Sequence, residues 1–119
     1  MQTNEIKRIY SFIGLAAKAN KIVSGGELSE KAIKENKARL VIIAQDAADN
    51  TVNKFSELCQ KKSITPIRFG YKEELGKTIG KAGSRSVVCI TCKHFASGLR
   101  KMVGSMIFGG ETFGEDKSI

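Results

Sequence analysis

Two glycines and a lysine in the stretch VSGGELSEKAIK, residues 23–34, have types and spacing suited to binding an anion. Gly25 and Gly26 would let backbone N–H groups approach a phosphate closely, and a helix start adds free amides and a favourable dipole. Lys31 would bring a mobile positive charge to the same anion. The alternative is an ordinary strand-to-helix turn with a solvated lysine. Neither nucleotide-binding glycine pattern occurs in this stretch, so a mononucleotide enzyme is poorly supported.

A second group of residues suited to an anion lies in the loop KAGSRS, residues 81–86. Lys81 and Arg85 are positively charged, and the small residues between them would permit close approach to the backbone of RNA or DNA. The pattern leaves open whether this loop clamps a nucleic acid or is simply solvated.

Cys89 and Cys92 form a C-x-x-C pair, a spacing found in thiol-redox and metal sites. A metal site lacks further ligands, because Cys59 is isolated and His94 is the only histidine. A redox pair normally opens a helix, whereas Cys89 falls within a predicted strand, so a cysteine of the core is the favoured interpretation. Nothing in the sequence specifies an enzyme, and we predict no cofactor, metal or small-molecule substrate.

The chain has 119 residues and a formal net charge of +8, which is unusual for a single small domain. Such a charge attracts polyanions, and nucleic acid is the leading candidate. A membrane surface would require a basic amphipathic helix with bulky apolar anchors, which the sequence does not indicate. An odd number of cysteines, with no signal-peptide pattern, favours a reducing, cytoplasmic location.

The elements that must position these residues follow from the spacing of apolar side chains. Helical patterns alternate with short apolar runs, which predicts an α/β fold. We expect a three-layer α-β-α sandwich with helices on both faces of a mixed, largely parallel sheet of about four strands. Residues 1–107 should form this domain, and residues 108–119 should form a flexible tail. Strands are predicted at 21–24, 40–44, 66–69 and 87–91, and helices at 4–19 and around 27–36, 52–59, 75–79 and 95–106.

Four segments in order, FIGLAAKANKIVSGGE, KARLVIIAQDAADNT, ELGKTIGK and VVCIT, resemble a known family. It is the YlxQ-type branch of the kink-turn RNA-binding ribosomal protein superfamily, which includes archaeal L-seven-Ae and eukaryotic L-thirty-e. The resemblance runs from about Phe12 to Leu99. It implies a compact α-β-α sandwich, in agreement with the alternation above.

The resemblance also implies how RNA would be bound. A kink-turn is a duplex bent sharply at a short internal loop beside tandem sheared G·A pairs, and the family places its second helix in the widened groove there. Asp46 and Ala47 match residues that flank the same surface. For the groove, the implied contacts are Gly25, Gly26, Glu27, Lys31 and Lys34. For the RNA backbone, the expected contacts are Arg39, Lys81 and Arg85.

This chain departs from the family pattern at the positions expected to read bases. Glu27 and Leu28 stand where kink-turn binders of the ribosomal type usually carry Asn followed by Glu. In addition, KAGSRS replaces an apolar, proline-containing segment that covers a flipped-out nucleotide. Both changes imply a shift from base-edge contacts toward phosphate contacts.

The sequence therefore predicts a protein that binds and stabilises kink-turn-like RNA, such as ribosomal RNA or an mRNA leader, and that is associated with the ribosome. The main alternative is a ribosome-associated protein–protein adaptor with the same fold that no longer recognises kink-turns. A third interpretation is a thiol-redox or metal protein that uses Cys89 and Cys92.

Overall fold

A computed structural model describes residues 4–110 of the chain, and the side chains of residues 4–105. Five helices and four strands alternate, as the hydrophobic pattern predicts. The helices are α1 (Asn4–Lys18), α2 (Gly26–Lys34), α3 (Asp49–Lys61), α4 (Lys72–Thr78) and α5 (Lys93–Gly110). The strands are β1 (Ile22–Ser24), β2 (Leu40–Ile43), β3 (Ile67–Arg68) and β4 (Val87–Ile90).

The four strands form one sheet in the order β1-β4-β2-β3. β4 lies between β1 and β2 and is antiparallel to both, while β2 and β3 are parallel. The sheet is therefore mixed, as expected, but the prediction that it is largely parallel is wrong. The reason is that β4 follows the loop after α4 and enters the sheet in the reverse direction, which alternation of helices and strands does not reveal.

Both faces of the sheet are covered, so the predicted three-layer sandwich is confirmed. Successive residues of β2 point to opposite faces. Leu40 and Ile42 belong to a core cluster formed with α1, α4 and α5. Val41 and Ile43 belong to a second cluster formed with α2 and α3. Every residue of β2 and β4 is buried, which explains why their sequences read as unbroken apolar runs.

Tyr10 of α1 fixes the start of α4. Its hydroxyl donates to a carboxylate oxygen of Glu74 at 2.9 Å and accepts from the N–H of Tyr71 at 3.1 Å. Burial, followed by the hydrogen bond to Glu74, raises the pKa of Tyr10 to about 12. The Tyr10 ring packs on Phe69 at a centroid distance of 5.0 Å. The hydroxyl therefore stays protonated and holds the start of α4 against α1.

The sheet has two ends that carry different groups. At the first, which we call the glycine end, β1, β2 and β3 finish and β4 begins. At the second, which we call the basic end, β1, β2 and β3 begin and β4 finishes. A four-residue strand is about 13 Å long, at roughly 3.3 Å per residue, so one small ligand cannot contact both ends.

The last helix extends beyond the domain boundary expected from the sequence. α5 continues to Gly110, whereas the predicted tail starts at residue 108. The rest of that predicted tail lies outside the described residues. In the part of the chain that the structure describes, no helix is both long enough and apolar enough to span a bilayer.

Candidate nucleic-acid interface

The turn from β1 into α2 opens the glycine end. Gly25 has a φ of +89°, which L-residues rarely adopt, and its N–H donates to the carbonyl of Val87 at 3.1 Å. Gly25 is also the N-cap of α2, and as a glycine it has no side chain that could cap the first amides. The first amides of α2 therefore point outward without a capping side chain, an arrangement that favours an anion.

Gly26 is not required by the protein itself. Its φ is not in the left-handed region, and a Cβ added there would meet no atom within 4 Å. The space in front of Gly26 is therefore open. Neither backbone conformation nor packing calls for a glycine at this position. A glycine here does let a ligand approach the backbone closely.

Lys31 lies one turn further along α2 and is exposed. No carboxylate of the described residues pairs with it, so its charge is available to a ligand. Glu27 and Leu28 are also exposed on the first turn, and 58% of Leu28 is accessible to solvent. The positions at which the sequence departs from the family pattern therefore lie on the surface, beside the open amides.

Lys34 is less available, because Glu30 binds it. A carboxylate oxygen of Glu30 lies 2.8 Å from the Lys34 ammonium, and the other lies 2.8 Å from the Lys54 ammonium. Hydrogen bonds from Lys34 and then Lys54 lower the pKa of Glu30 to about 2. The carboxylate is therefore charged at any working pH, and it links α2 to α3 while neutralising part of the local positive charge.

The loop after α4 packs tightly at the same end. A Cβ at Gly76 would overlap the carbonyl oxygen of Gly83, so the loop backbone lies directly on α4. The Arg85 guanidinium donates to the hydroxyl of Ser24 at 3.2 Å and to the carbonyls of Ala82 and Ser84 at 3.2 and 2.9 Å. Arg85 is half-buried and holds its own loop against β1.

Lys81, at the start of this loop, is exposed. Its N–H donates to the carbonyl of Gly76 at 2.9 Å, while its ammonium has no carboxylate partner among the described residues. Of the two cations predicted in this loop, Arg85 is therefore mainly a clamp, and Lys81 is free to contact a ligand.

An open groove of about 530 Å³ separates this loop from the turn into α2. Its third wall is the first part of α3, which none of the predicted site residues belongs to. The only sequence signal for it is the polar run of residues 46–50 that leads into α3. The wall residues from α3 are Asn50, Thr51, Lys54 and Phe55.

Asp46 follows β2 at the glycine end and stabilises the start of α4. Its carboxylate accepts the N–H of Lys72 at 2.9 Å and so caps the start of α4. Nearby, the Arg68 guanidinium donates to the carbonyls of Ala44 and Gln45 at 3.3 and 3.1 Å. The described contact of Asp46 is therefore structural, and its predicted place flanking the RNA surface stays a prediction.

Comparison with known proteins gives the family. Residues 7–99 match the Ribosomal protein L7Ae/L30e/S12e/Gadd45 family, which is most of the chain. The chain belongs to this family. A Bacillus subtilis (strain 168) protein named RNA-binding protein YlxQ is 36% identical over 90 residues, covering 76% of this chain and 89% of the relative. An Enterococcus faecium protein of the same name is 28% identical over 103 residues, covering 87% and 98%.

Solved structures of other proteins share this fold. A Bacillus halodurans protein described as having unknown function superposes with a TM-score of 0.77 at 30% identity, covering 82% of this chain and 97% of the other. The Giardia lamblia 15.5kD RNA binding protein superposes with a TM-score of 0.72 at 23% identity, covering 88% and 90%. The second likeness is one of fold alone.

Arg39 does not join the other predicted residues in this member of the L7Ae family. Its N–H donates to the carbonyl of Ile90 at 2.7 Å, which places it where β4 finishes, at the basic end. Arg39 therefore lies at the opposite end of the sheet from Lys31 and Lys81, and its contact with an RNA backbone stays a prediction. The cause is the direction of β2, which starts at Leu40 and runs toward the glycine end.

The cysteines do not form a site together. Cys89 is fully buried in β4, where its thiol faces the carbonyl of Ser29 at 3.9 Å, and burial raises its pKa to about 12. Burial likewise raises the pKa of Cys59 to about 11. Cys92 lies beyond the end of β4, at the start of α5, where the backbone N–H of Phe95 lowers its pKa. No group of three potential metal ligands occurs among residues 4–105.

Proposed function

We propose that this protein binds structured RNA through the glycine end and stabilises a kink-turn-like bend. The observation that carries the proposal is the start of α2, where uncapped amides face open space beside Gly26 and one turn before the unpaired Lys31. Such a surface suits phosphates in a widened groove. Membership of the L7Ae family and the printed names of the curated relatives support RNA as the ligand.

Bending would follow from differential affinity. Free RNA populates the kinked conformer only in part, and a protein that contacts only that conformer shifts the population toward it. The groove between the turn into α2 and the loop 81–86 has two walls, and in this proposal they would lie on either side of the RNA backbone. A straight duplex would touch one wall, whereas a sharply bent one can touch both.

Recognition in this chain would rely on phosphates more than on base edges. Glu27 can accept hydrogen bonds but cannot donate them, and Leu28 can do neither. A carboxylate beside phosphates is unfavourable as well. The available donors are the α2 amides, Lys31 and Lys81, which bind phosphates without regard to sequence.

The family and the names of the relatives point to an RNA-binding protein and not to an enzyme. We further infer a role in the cytoplasm on ribosomal RNA or an mRNA leader, in association with the ribosome. No cofactor enters this function.

The test is a titration of two labelled RNAs. One is a kink-turn, and the other is a control in which Watson–Crick pairs replace the G·A pairs. We expect the kink-turn to bind about tenfold or more tightly, because one good specific contact contributes about 1–3 kcal/mol. Equal affinity for the two RNAs would refute kink-turn recognition and leave only binding to polyanions.

A second candidate function is the protein–protein adaptor, and the exposed Leu28 favours it. An apolar side chain that is 58% accessible on the first turn of α2 suits a protein partner better than an RNA. Pull-down from a nuclease-treated extract separates the two functions. A ribosomal protein partner that survives nuclease, and is lost in Leu28→Asn, would favour the adaptor.

A further inference from the structure

The basic end of the sheet carries most of the net charge of the described chain. It is built by residues 19–21, 35–39, 61–66 and 91–94, together with Arg100. Hydrogen bonds join these segments: the N–H of Thr91 donates to the carbonyl of Lys21 at 2.9 Å, and Arg100 donates to the carbonyls of Thr65 and Arg39 at 3.5 and 3.4 Å. Together they contain seven lysines and arginines and one glutamate.

Few of these charges are neutralised within the protein. The one carboxylate, Glu35, pairs with Lys37 at 3.2 Å. Lys21, Arg39 and Lys93 are exposed and have no ion pair among the described residues. Lys21 precedes β1 and Arg39 precedes β2, on either side of β4. At a strand spacing of about 4.8 Å, their backbones lie within roughly 10 Å of each other.

The chemistry of this end restricts its ligand. The large apolar side chains that are exposed in the described chain are Leu15, Leu28 and Tyr71, and none of them belongs to the segments of the basic end. There is thus no apolar anchor for a bilayer and no apolar centre for a stable protein interface. Flexible, unpaired cations without apolar neighbours bind the phosphates of a nucleic acid through counterion release.

We propose that the basic end binds the phosphate backbone of a second RNA segment without sequence preference. With a kink-turn at the glycine end, the protein would then join two RNA segments that meet on opposite ends of its sheet. The joining of two segments rests on the proposed function, whereas RNA binding by the basic end does not. Arg39, which lies at the basic end, would be one of the residues that bind this second segment.

The test compares two double variants that lose the same charge. Lys21→Gln with Lys93→Gln alters the basic end, and Lys7→Gln with Lys77→Gln removes two exposed cations from α1 and α4. The probe is a plain Watson–Crick RNA duplex, titrated over a salt series. We expect the basic-end variant to lose about tenfold in affinity at low salt, with a salt slope shallower by about two. Adding Arg39→Gln should deepen the loss.

The control double variant should change duplex affinity by less than about threefold, since its cations lie outside the basic end. Equal losses in the two double variants would overturn the proposal, because they would assign the effect to net charge alone. Thermal unfolding of each variant confirms that the fold is retained.

The joining of two RNA segments by one protein, which we call bridging, is measured by fluorescence resonance energy transfer between a donor-labelled kink-turn and an acceptor-labelled duplex. Wild type should bring the two together, and the basic-end variant should bind the kink-turn without the duplex. Absence of transfer in wild type at low salt would overturn bridging. Failure of the proposed function is recognised separately, because Lys31→Glu would then leave kink-turn affinity unchanged while the two double variants still differ on the plain duplex.

Discussion

The two ends of one sheet are built from the same four strands, yet they carry different chemistry. At the glycine end, residues 24–31, 44–54, 68–74 and 81–86 contain six lysines and arginines and six aspartates and glutamates. The segments of the basic end contain seven cations and one acid. The surface proposed to recognise an RNA bend is therefore close to neutral, and the excess charge lies about 13 Å away, one strand length at roughly 3.3 Å per residue.

This difference assigns two tasks to the two ends: recognition of an RNA shape to the glycine end, and general attraction of phosphates to the basic end. The glycine end offers groups in fixed positions, namely backbone amides, a clamped loop and a carboxylate that binds two lysines. The basic end offers charge on flexible side chains. Fixed donors can distinguish one RNA shape from another, whereas mobile cations respond mainly to phosphate density and salt. Net charge alone would therefore indicate the basic end and overlook the surface proposed to recognise the bend.

The largest expected effect is on stability at the glycine end. Gly76→Ala should lower the free energy of unfolding by about 3 kcal/mol, because the new Cβ overlaps the carbonyl of Gly83 and must displace the loop. Chemical denaturation measures this change. Gly104→Ala, where an added Cβ meets no atom within 4 Å, is the matched control and should be neutral or stabilising. If the two variants unfold alike, the loop is not packed on α4 as described.

The next effect is a difference in reactivity that reports on the basic end. At neutral pH, iodoacetamide should modify Cys92 about 100-fold faster than Cys59 or Cys89, because its lowered pKa and partial exposure favour the thiolate. Mass spectrometry of timed digests measures the three rates.

A plain RNA duplex should slow the modification of Cys92, which lies among the basic-end segments. An unchanged rate with duplex in excess would contradict binding there.

Lys31→Glu should reduce kink-turn affinity by about 1–3 kcal/mol, the scale of one good contact. The reason is that Lys31 has no ion pair among the described residues and lies on the same helix as the open amides. Lys77→Glu, an exposed change of the same charge in α4, is the control. Fluorescence anisotropy at one fixed salt concentration measures both, and similar losses in the two would remove α2 from the interface.

The smallest expected effect is an increase in RNA affinity. Glu30→Gln breaks two ion pairs and frees Lys54 at the groove and Lys34 on α2, so RNA affinity should rise by about two- to fivefold with a steeper salt slope. Glu35→Gln changes the net charge equally but frees Lys37 at the basic end. Glu30→Gln should therefore raise affinity for the kink-turn RNA more than Glu35→Gln does. The reverse order would show that the basic end dominates binding even of bent RNA.

Much of the fold could be predicted because the strong patterns were local. The apolar runs of β2 and β4 identify strands buried on both faces, and the helical spacing in α1 locates that helix within one residue of its observed end. The direction of β4 was not predictable in this way. It depends on how the chain from α4 returns to the sheet, and that path is set by tertiary packing at Gly76 and Gly83.

The site was predictable in part for the same reason. Gly25, Gly26 and Lys31 belong to one continuous turn and helix, so their proximity follows from sequence. The separation of Arg39 from these residues does not follow from sequence, because the position of Arg39 depends on strand direction. The α3 wall was missed, and the sharing of Glu30 between Lys34 and Lys54 was not foreseen, since spacing reveals pairs within one helix but not between helices.

The clamp at Arg85 has a consequence for the thermodynamics of binding. Ordering the six residues 81–86 costs on the order of 6–12 kcal/mol of backbone entropy, at roughly 1–2 kcal/mol per residue. Hydrogen bonds to Ser24, Ala82 and Ser84 mean that this entropy is lost when the protein folds and not when RNA arrives. The heat-capacity change of binding should therefore be small and reflect mainly the folding of the RNA, with association limited by how often the RNA bends.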